Sequence, residues 1–255
     1  MTGSAHGQAA YDVRLDWGHT GARALVADAR PGDVAVVVDV LSFTTTLTVA
    51  LERGIEVHPY PWAEADAASY AEQRRAVLAV GRRAGLEAGG LSLSPRSFDD
   101  DAAVVGVDRV VLPSPNGSSI AFGLADAGVT VLGACLRNAA AVARHLDAGT
   151  GRVVVIAAGE RWPDGSLRPA VEDLWGAGAV ISTLTRGSRS PEAAAAVAAY
   201  DVVRGRLGDA LAACASGREL VEDGFAVDVE LAAAYGVSHV VPVLSGDGFE
   251  DAQES

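Results

Sequence analysis

Four segments combine side chains able to do chemistry with places where a strand should give way to a helix. In Asp39-Val-Leu-Ser-Phe-Thr-Thr-Thr46, a carboxylate follows a valine run and precedes three threonines. A carboxylate at the end of an apolar strand is costly to bury unless it meets a metal or a cation. Thr44, Thr45 and Thr46 would offer hydroxyls and free N–H groups to an anion at the helix start. The plainer alternative is that Asp39 makes a local turn bond and one threonine caps the helix. Pro113-Ser-Pro-Asn-Gly-Ser-Ser119 sits in the same way. There Asn116, Gly117 and Ser118 form either a nest of amides for an anion or a tight turn with a cap. In Cys135-Leu-Arg-Asn138, Asn138 suits a cap, and Arg137 is either a solvated cation or a bidentate partner for phosphate, sulfonate or carboxylate. Gly159-Glu160-Arg161 ends another strand, and Glu172 and Asp173 follow in the first turns of the next helix. Paired acids there answer the helix dipole or, with Asp39 on a neighbouring strand, make a hard-oxygen site suited to Mg²⁺.

Composition limits the chemistry. The chain of 255 residues contains no lysine, so its 20 cationic side chains are all arginine. Schiff-base catalysis and a P-loop lysine are thereby excluded, and any anion must be held by arginine, backbone amides or a metal. A net charge of −13 argues against nucleic acid or an anionic membrane as partner, but not against a small anionic substrate. The five histidines show no zinc-binding spacing, and the two cysteines, Cys135 and Cys214, read as unpaired core thiols in a reducing compartment. No signal peptide and no apolar run of ~20 residues is present, so a cytoplasmic protein is expected. GxSxG and GxGxxG are both absent.

These residues need strands to position them. Val34–Val40 reads as a strand buried on both faces, because its valines do not alternate with polar residues. A helix from Thr44 to Arg53, a strand Ile55–Pro59 and a helix Ala63–Ala79 follow. Residues 81–101 read as a long surface loop, being rich in Gly, Ser and Pro. Strands are expected at Arg109–Leu112, Val129–Leu132, Arg152–Ala157 and His239–Leu244. Helices are expected over Pro169–Leu184 and Pro191–Leu207, with another opened by the capping-box spacing Ser216-Gly-Arg-Glu219. Alternation of this kind implies an α/β fold with a largely parallel sheet flanked by helices. Residues 11–245 are expected to form one α/β unit, with a lobe boundary conceivable near 158–169. Residues 1–10 and 246–255 would be a loose tail and an acidic tail. An assembly of identical copies stays open.

Together the segments resemble the 2-phosphosulfolactate phosphatase family, known from coenzyme M biosynthesis. The likeness rests on Asp39 to Thr46, Asn116 to Ser118, Asn138-Ala139, Gly159 with Glu172-Asp173, and Ser216 to Leu220. It implies an α/β fold particular to that family and a Mg²⁺-dependent phosphatase acting on a small phosphorylated hydroxy acid. On that reading Asp39, Glu172 and Asp173 are metal ligands or water-activating carboxylates. Thr44–Thr46, Asn116–Ser118 and Asn138 form the phosphate cradle, and Arg137 and Arg161 take the substrate's second anion. The chain departs from the family pattern at Ser42, where arginine is usual. Gly81-Arg-Arg83 replaces Gly-Glu-Arg, Ser92-Leu-Ser-Pro95 replaces Gly-Asn-Ser-Pro, and Ser114-Pro115 stands where threonines precede Asn-Gly. These changes predict slower turnover of phosphosulfolactate than of some other small phospho-acid. A non-catalytic phospho-acid binder, or a metal-dependent lyase or isomerase, are the rival readings.

Overall fold

A computed structural model describes residues 5–61, 66–125 and 127–253. After a short turn at Ala5–Gly7 the chain runs β1 (Val13–Trp17), α1 (Gly18–Val26), β2 (Val34–Val38), α2 (Phe43–Glu52), β3 (Glu56–Pro61), α3 (Ala67–Arg74) and β4 (Val77–Leu78). It continues with α4 (Arg82–Ala88), α5 (Arg96–Asp99), α6 (Asp101–Val104), β5 (Arg109–Ser114), α7 (Gly117–Leu124), β6 (Thr130–Ala134), α8 (Ala139–Ala148) and β7 (Val153–Ala157). A small hairpin, β8 (Glu160–Arg161) and β9 (Leu167–Arg168), precedes α9 (Val171–Thr183) and α10 (Pro191–Val203). The last elements are α11 (Leu207–Ala213), α12 (Ala215–Glu222), α13 (Ala226–Ala233), β10 (Pro242–Ser245) and β11 (Gly248–Asp251).

The large sheet has the order β1-β7-β2-β6-β10-β11-β3-β5-β4. Two parallel groups, β1-β7-β2-β6 and β3-β5-β4, are joined through the antiparallel β10–β11 pair. The expected mostly parallel α/β sheet is what forms. Alternate residues of β2 divide between two cores. Val36 and Val38 pack with α8, α9 and α10, while Ala35 and Val37 pack with α1, α2 and α7. A strand with helices on both faces has no polar face, and this is why the valine run is continuous.

Several local expectations are corrected. Residues 81–101 are not a surface loop: they hold α4 and α5, and Leu91, Leu93 and Phe98 are buried in the second core. Their glycines hide the helical period from a reading of composition. Of the helix expected over 63–79, positions 63–65 lie outside the described residues. The rest forms only α3, closed by Arg75 in the left-handed region (φ 53°), after which Val77–Leu78 joins the sheet edge. The acidic segment from Gly246 is not a free tail, since its β11 pairs with β10 and β3 and buries Phe249 against Phe43. The described part of the N-terminal tail is also held: buried Arg14 donates to the Gly7 carbonyl at 2.6 Å. The segment 158–169 is the β8–β9 hairpin, and residues before and after it, such as Val155 and Val180, share one core. No helix among the described residues is long and apolar enough to cross a membrane.

Candidate active site

Asp39 lies just past the end of β2 and is 6 % exposed. Its two carboxylate oxygens accept the first N–H of each of two helices, Phe43 of α2 at 3.0 Å and Gly117 of α7 at 2.9 Å. Two helix N-termini therefore converge on one carboxylate, which suits their positive dipole ends. Residue 117 must be glycine, because a Cβ there would lie 2.6 Å from Asp39 Oδ2. Asp173 repeats the pattern one strand away. Its oxygens accept from the N–H of Val40 at 2.7 Å and of Gly159 at 2.8 Å, with Gly159 in the left-handed region (φ 69°). These bonds tie the ends of β2 and β7 to the first turn of α9.

The carboxylates in this region push on one another. Burial raises the Asp39 carboxyl to about 6, and Glu172 adds to the rise while Arg82 opposes it. Burial, then Asp39 and Glu172, holds the Asp173 carboxyl well above the usual range. Glu160 is raised to about 7 by burial and by Asp39 and Glu172. Glu172 is 2 % exposed, and it also stands beside the Cys214 thiol, which burial, with Glu172 as the next cause, pushes up to about 12.

Asp39 and Glu160 open onto a cavity of about 380 Å³. Four arginines line it as well: Arg82, Arg83, Arg161 and Arg168. Asn116 organises one wall, donating from its amide nitrogen to Glu160 Oε2 at 2.8 Å and accepting from Arg161 Nε at 3.2 Å. Arg161 also donates to the Pro115 carbonyl at 3.0 Å, and Arg168 donates to Ser216 Oγ at 3.1 Å. Ser216 is thus a cavity residue rather than the helix cap its spacing suggested. The cap of α12 is Cys214, whose sulfur accepts from the Gly217 N–H at 3.3 Å. The guanidinium of Arg82 donates to Ser42 Oγ. A cation therefore stands beside the position where the family pattern has arginine.

Of the residues singled out from sequence, Asp39, Asn116 and Arg161 meet at this cavity. Others do not. Thr44 Oγ1 donates to the Asp39 carbonyl, Thr45 Oγ1 to that of Val40 and Thr46 Oγ1 to that of Leu93, so the hydroxyl protons are committed to backbone inside the fold. The Gly117 N–H serves Asp39 and the Ser118 N–H serves Ser114 Oγ, while Ser118 Oγ faces the Tyr60 and Leu112 carbonyls, so these two amides are already engaged. Asn138 is fully buried, accepting from the Cys135 N–H at 2.8 Å and facing the Gly133 and Val240 carbonyls. Arg137 pairs with Glu52 at 3.1 Å and with the Leu231 carbonyl. These contacts correct the expected phosphate cradle: β-branched and amide side chains at strand ends are here satisfied by backbone. Among the described residues no three or more His, Cys, Asp or Glu side chains converge closely enough to hold a metal ion by themselves. Asp39, Glu172 and Asp173 are hence not a preassembled metal cage.

Glu160, Arg82 and Arg168 were not chosen from the sequence as site residues. Glu160 carried a readable signal, since it stands between Gly159 and Arg161 directly after a strand. Arg82 stood in Gly81-Arg-Arg83, one of the departures from the family pattern, but its approach to the cavity depends on α4; Arg168 carried no signal, because it arrives with the β8–β9 hairpin.

Comparison with known proteins is consistent with this arrangement. The family model described as 2-phosphosulpholactate phosphatase matches residues 22–247. A Deinococcus radiodurans protein named "Probable 2-phosphosulfolactate phosphatase" is 32 % identical over 224 residues, covering 86 % of this chain and 91 % of its own. Proteins of the same name from Thermus thermophilus (32 % over 219 residues, 84 % and 89 % covered) and Gloeobacter violaceus (31 % over 226 residues, 88 % and 93 % covered) are similar to it too. With the model spanning most of the sheet and every segment of the cavity, the chain belongs to the 2-phosphosulfolactate phosphatase family and is a phosphoric monoester hydrolase.

Proposed function

We propose that this enzyme hydrolyses the phosphate ester of a small hydroxy acid carrying a second anionic group, with Mg²⁺ as cofactor. The observation that carries this reading is the convergence of Arg82, Arg161 and Arg168 with Asp39 and Glu160 on one cavity of about 380 Å³. That volume suits a molecule of metabolite size. Without lysine, planar guanidinium groups must take the oxygens of both anions, which they do in bidentate fashion.

Arg161 and Arg168 flank Glu160 in the β8–β9 hairpin and would hold the phosphoryl oxygens in line. Glu160, with its carboxyl near 7, is matched to neutral pH as a proton donor to the leaving alkoxide, and Asn116 keeps it pointed into the cavity. Asp39 and Glu172 are the residues that would hold Mg²⁺. This ion needs only one or two carboxylates beside water and substrate phosphate, and each Asp39 oxygen keeps a lone pair after accepting its N–H. The elevation of the Asp39 and Asp173 carboxyls, to which Glu172 adds, is what a cation would relieve. When bound, the ion would neutralise charge on the transferring phosphoryl oxygens.

The test is a phosphate-release screen over 2-phospho-3-sulfolactate, phospholactate, phosphoglycerates and phenyl phosphate, with Mg²⁺ and with EDTA. Release from the phospho-acids, abolished by EDTA and restored by Mg²⁺, is expected. Inorganic phosphate seen by phosphorus NMR separates hydrolysis from lyase or isomerase chemistry. Phospho-acid binding with no release under any divalent metal would replace this reading with a binding module. Arg82 stands beside Ser42, where the family pattern has arginine, and kcat/KM for phosphosulfolactate relative to phospholactate decides whether it takes over that role.

A further inference from the structure

Arg82 is held differently from the other arginines of the cavity. Arg161 is fixed by neutral acceptors, Asn116 and the Pro115 carbonyl, and Arg168 by the hydroxyl of Ser216. Arg83 is exposed and only 3.8 Å from a surface carboxylate, Asp223. Behind Arg82 stands Asp228 of α13, 1 % exposed, with its Oδ2 at 3.4 Å from Arg82 Nε. Among the described residues neither of those two atoms makes a hydrogen bond elsewhere, so each is the other's ionic partner. The second oxygen of Asp228 accepts from Ser94 Oγ at 2.6 Å, which fixes the carboxylate. Arg82 is also a shared wall. One side faces the catalytic cavity with Ser42 and Asp39, and the other faces a cleft of about 430 Å³ lined in part by Ser94 and Asp228.

We propose that Asp228 is a positioning residue that aims Arg82 at the substrate's second anionic group, so that Arg82 selects phosphorylated acids over plain phosphomonoesters. This rests on the phosphatase reading given above. An arginine backed at Nε, with one outer nitrogen donating to Ser42 Oγ, keeps its remaining outer N–H groups for a carboxylate or sulfonate. Backing by a buried carboxylate also lowers the ordering cost of a long side chain, which unsupported binding would have to overcome. The separation of 3.4 Å leaves room for the pair to tighten when the anion binds.

Steady-state kinetics on phospholactate and phenyl phosphate test it, since only the first carries a second anion. Arg82→Gln is expected to lower kcat/KM about 100-fold on phospholactate and about 10-fold on phenyl phosphate, the extra factor being one lost charged hydrogen bond. Asp228→Asn should lose about 10-fold on phospholactate, chiefly in KM, and the double variant should match Arg82→Gln within about 2-fold because the pair acts as one unit. Additive losses, or equal losses on both substrates, would overturn the proposal; the second would leave Arg82 as a counterion to Asp39 only. If Asp228→Asn does not fold, Ser94→Ala takes its place, with about 3-fold expected on phospholactate and no effect in the Arg82→Gln background. If the wild type releases phosphate from nothing, the phosphatase reading fails by itself. Calorimetric binding of phospholactate to the same variants then applies the same test of coupling.

Discussion

The two ends of β2 carry a natural control. Asp33 precedes the strand and Asp39 follows it; they are 4 % and 6 % exposed, and each accepts two backbone N–H groups. Burial works to raise both. At Asp33 the hydrogen bonds from Arg152, at 2.6 Å and 3.0 Å from its guanidinium, outweigh burial and hold the carboxyl low. At Asp39 the neighbours include Glu172 and Asp173, and the carboxyl rises to about 6. Residue type, solvent exposure and backbone bonding are matched, but Asp39 is enclosed far more deeply, so depth of burial and the guanidinium pairing of Asp33 together separate the two carboxyls. The N-terminal side of the sheet has its charges paired, with Arg14 and Arg152 meeting Asp28 and Asp33. The Asp39 side leaves acids under mutual repulsion, as expected where a substrate and a cation complete the balance.

The largest effect that could break this comparison comes from Asp39→Asn. It should lower kcat by at least ~10²-fold, or about 2.7 kcal/mol. It should also cost about 2 kcal/mol of stability, because an amide nitrogen would face one of the two backbone N–H donors. Phosphate release and denaturant melts check both, and a destabilised variant with normal turnover would return Asp39 to a purely structural role. Glu160→Gln sharpens the point, since among the described residues only one of its oxygens has a protein donor, from Asn116. A loss of about 10²-fold in kcat with no loss of stability is expected.

Arg152→Met makes the opposite change. It strips the cation from a largely buried network and should cost about 3 kcal/mol of stability, while the folded variant keeps its turnover. Equal damage to rate would show that the two ends are not independent.

The smallest effect is in the pH dependence of stability. Asp39 and Glu160 hold protons in the folded state that the unfolded chain releases near pH 4. The stability they contribute is complete below that range and is lost as pH rises through about 6 to 7. Asp28 and Asp33 are lowered, so their contribution is present above the ordinary range and lost as pH falls through their depressed values. Thermal melts without metal should therefore be a few degrees higher at pH 5 than at pH 8, at about 2–4 °C per kcal/mol for a chain of this size. Glu160→Gln should flatten that decline, and Arg152→Met should alter only the acid side.

What could be read from residue order alone is what depends on local period and composition. The unbroken valines of β2 specify a strand buried on both faces, Asp39 is placed at its end by adjacency, and the absence of lysine assigns anion binding to arginine. The order of strand-end segments is likewise enough for the family. The tertiary structure decided which polar groups are already satisfied. Thr46 and Arg137 looked available because the Leu93 carbonyl and the Glu52 carboxylate they bond are met only once the chain has folded, whereas Thr44, Thr45 and Asn138 are satisfied within five residues, as the plainer local reading allowed. It also decided what converges. Asp39 meets Gly117 from 78 residues away and Val40 meets Asp173 from 133, while Arg82 enters through a helix that composition had marked as loop. Hydrogen-bond satisfaction and electrostatic coupling are set by distance in space, and period along the chain carries no record of it.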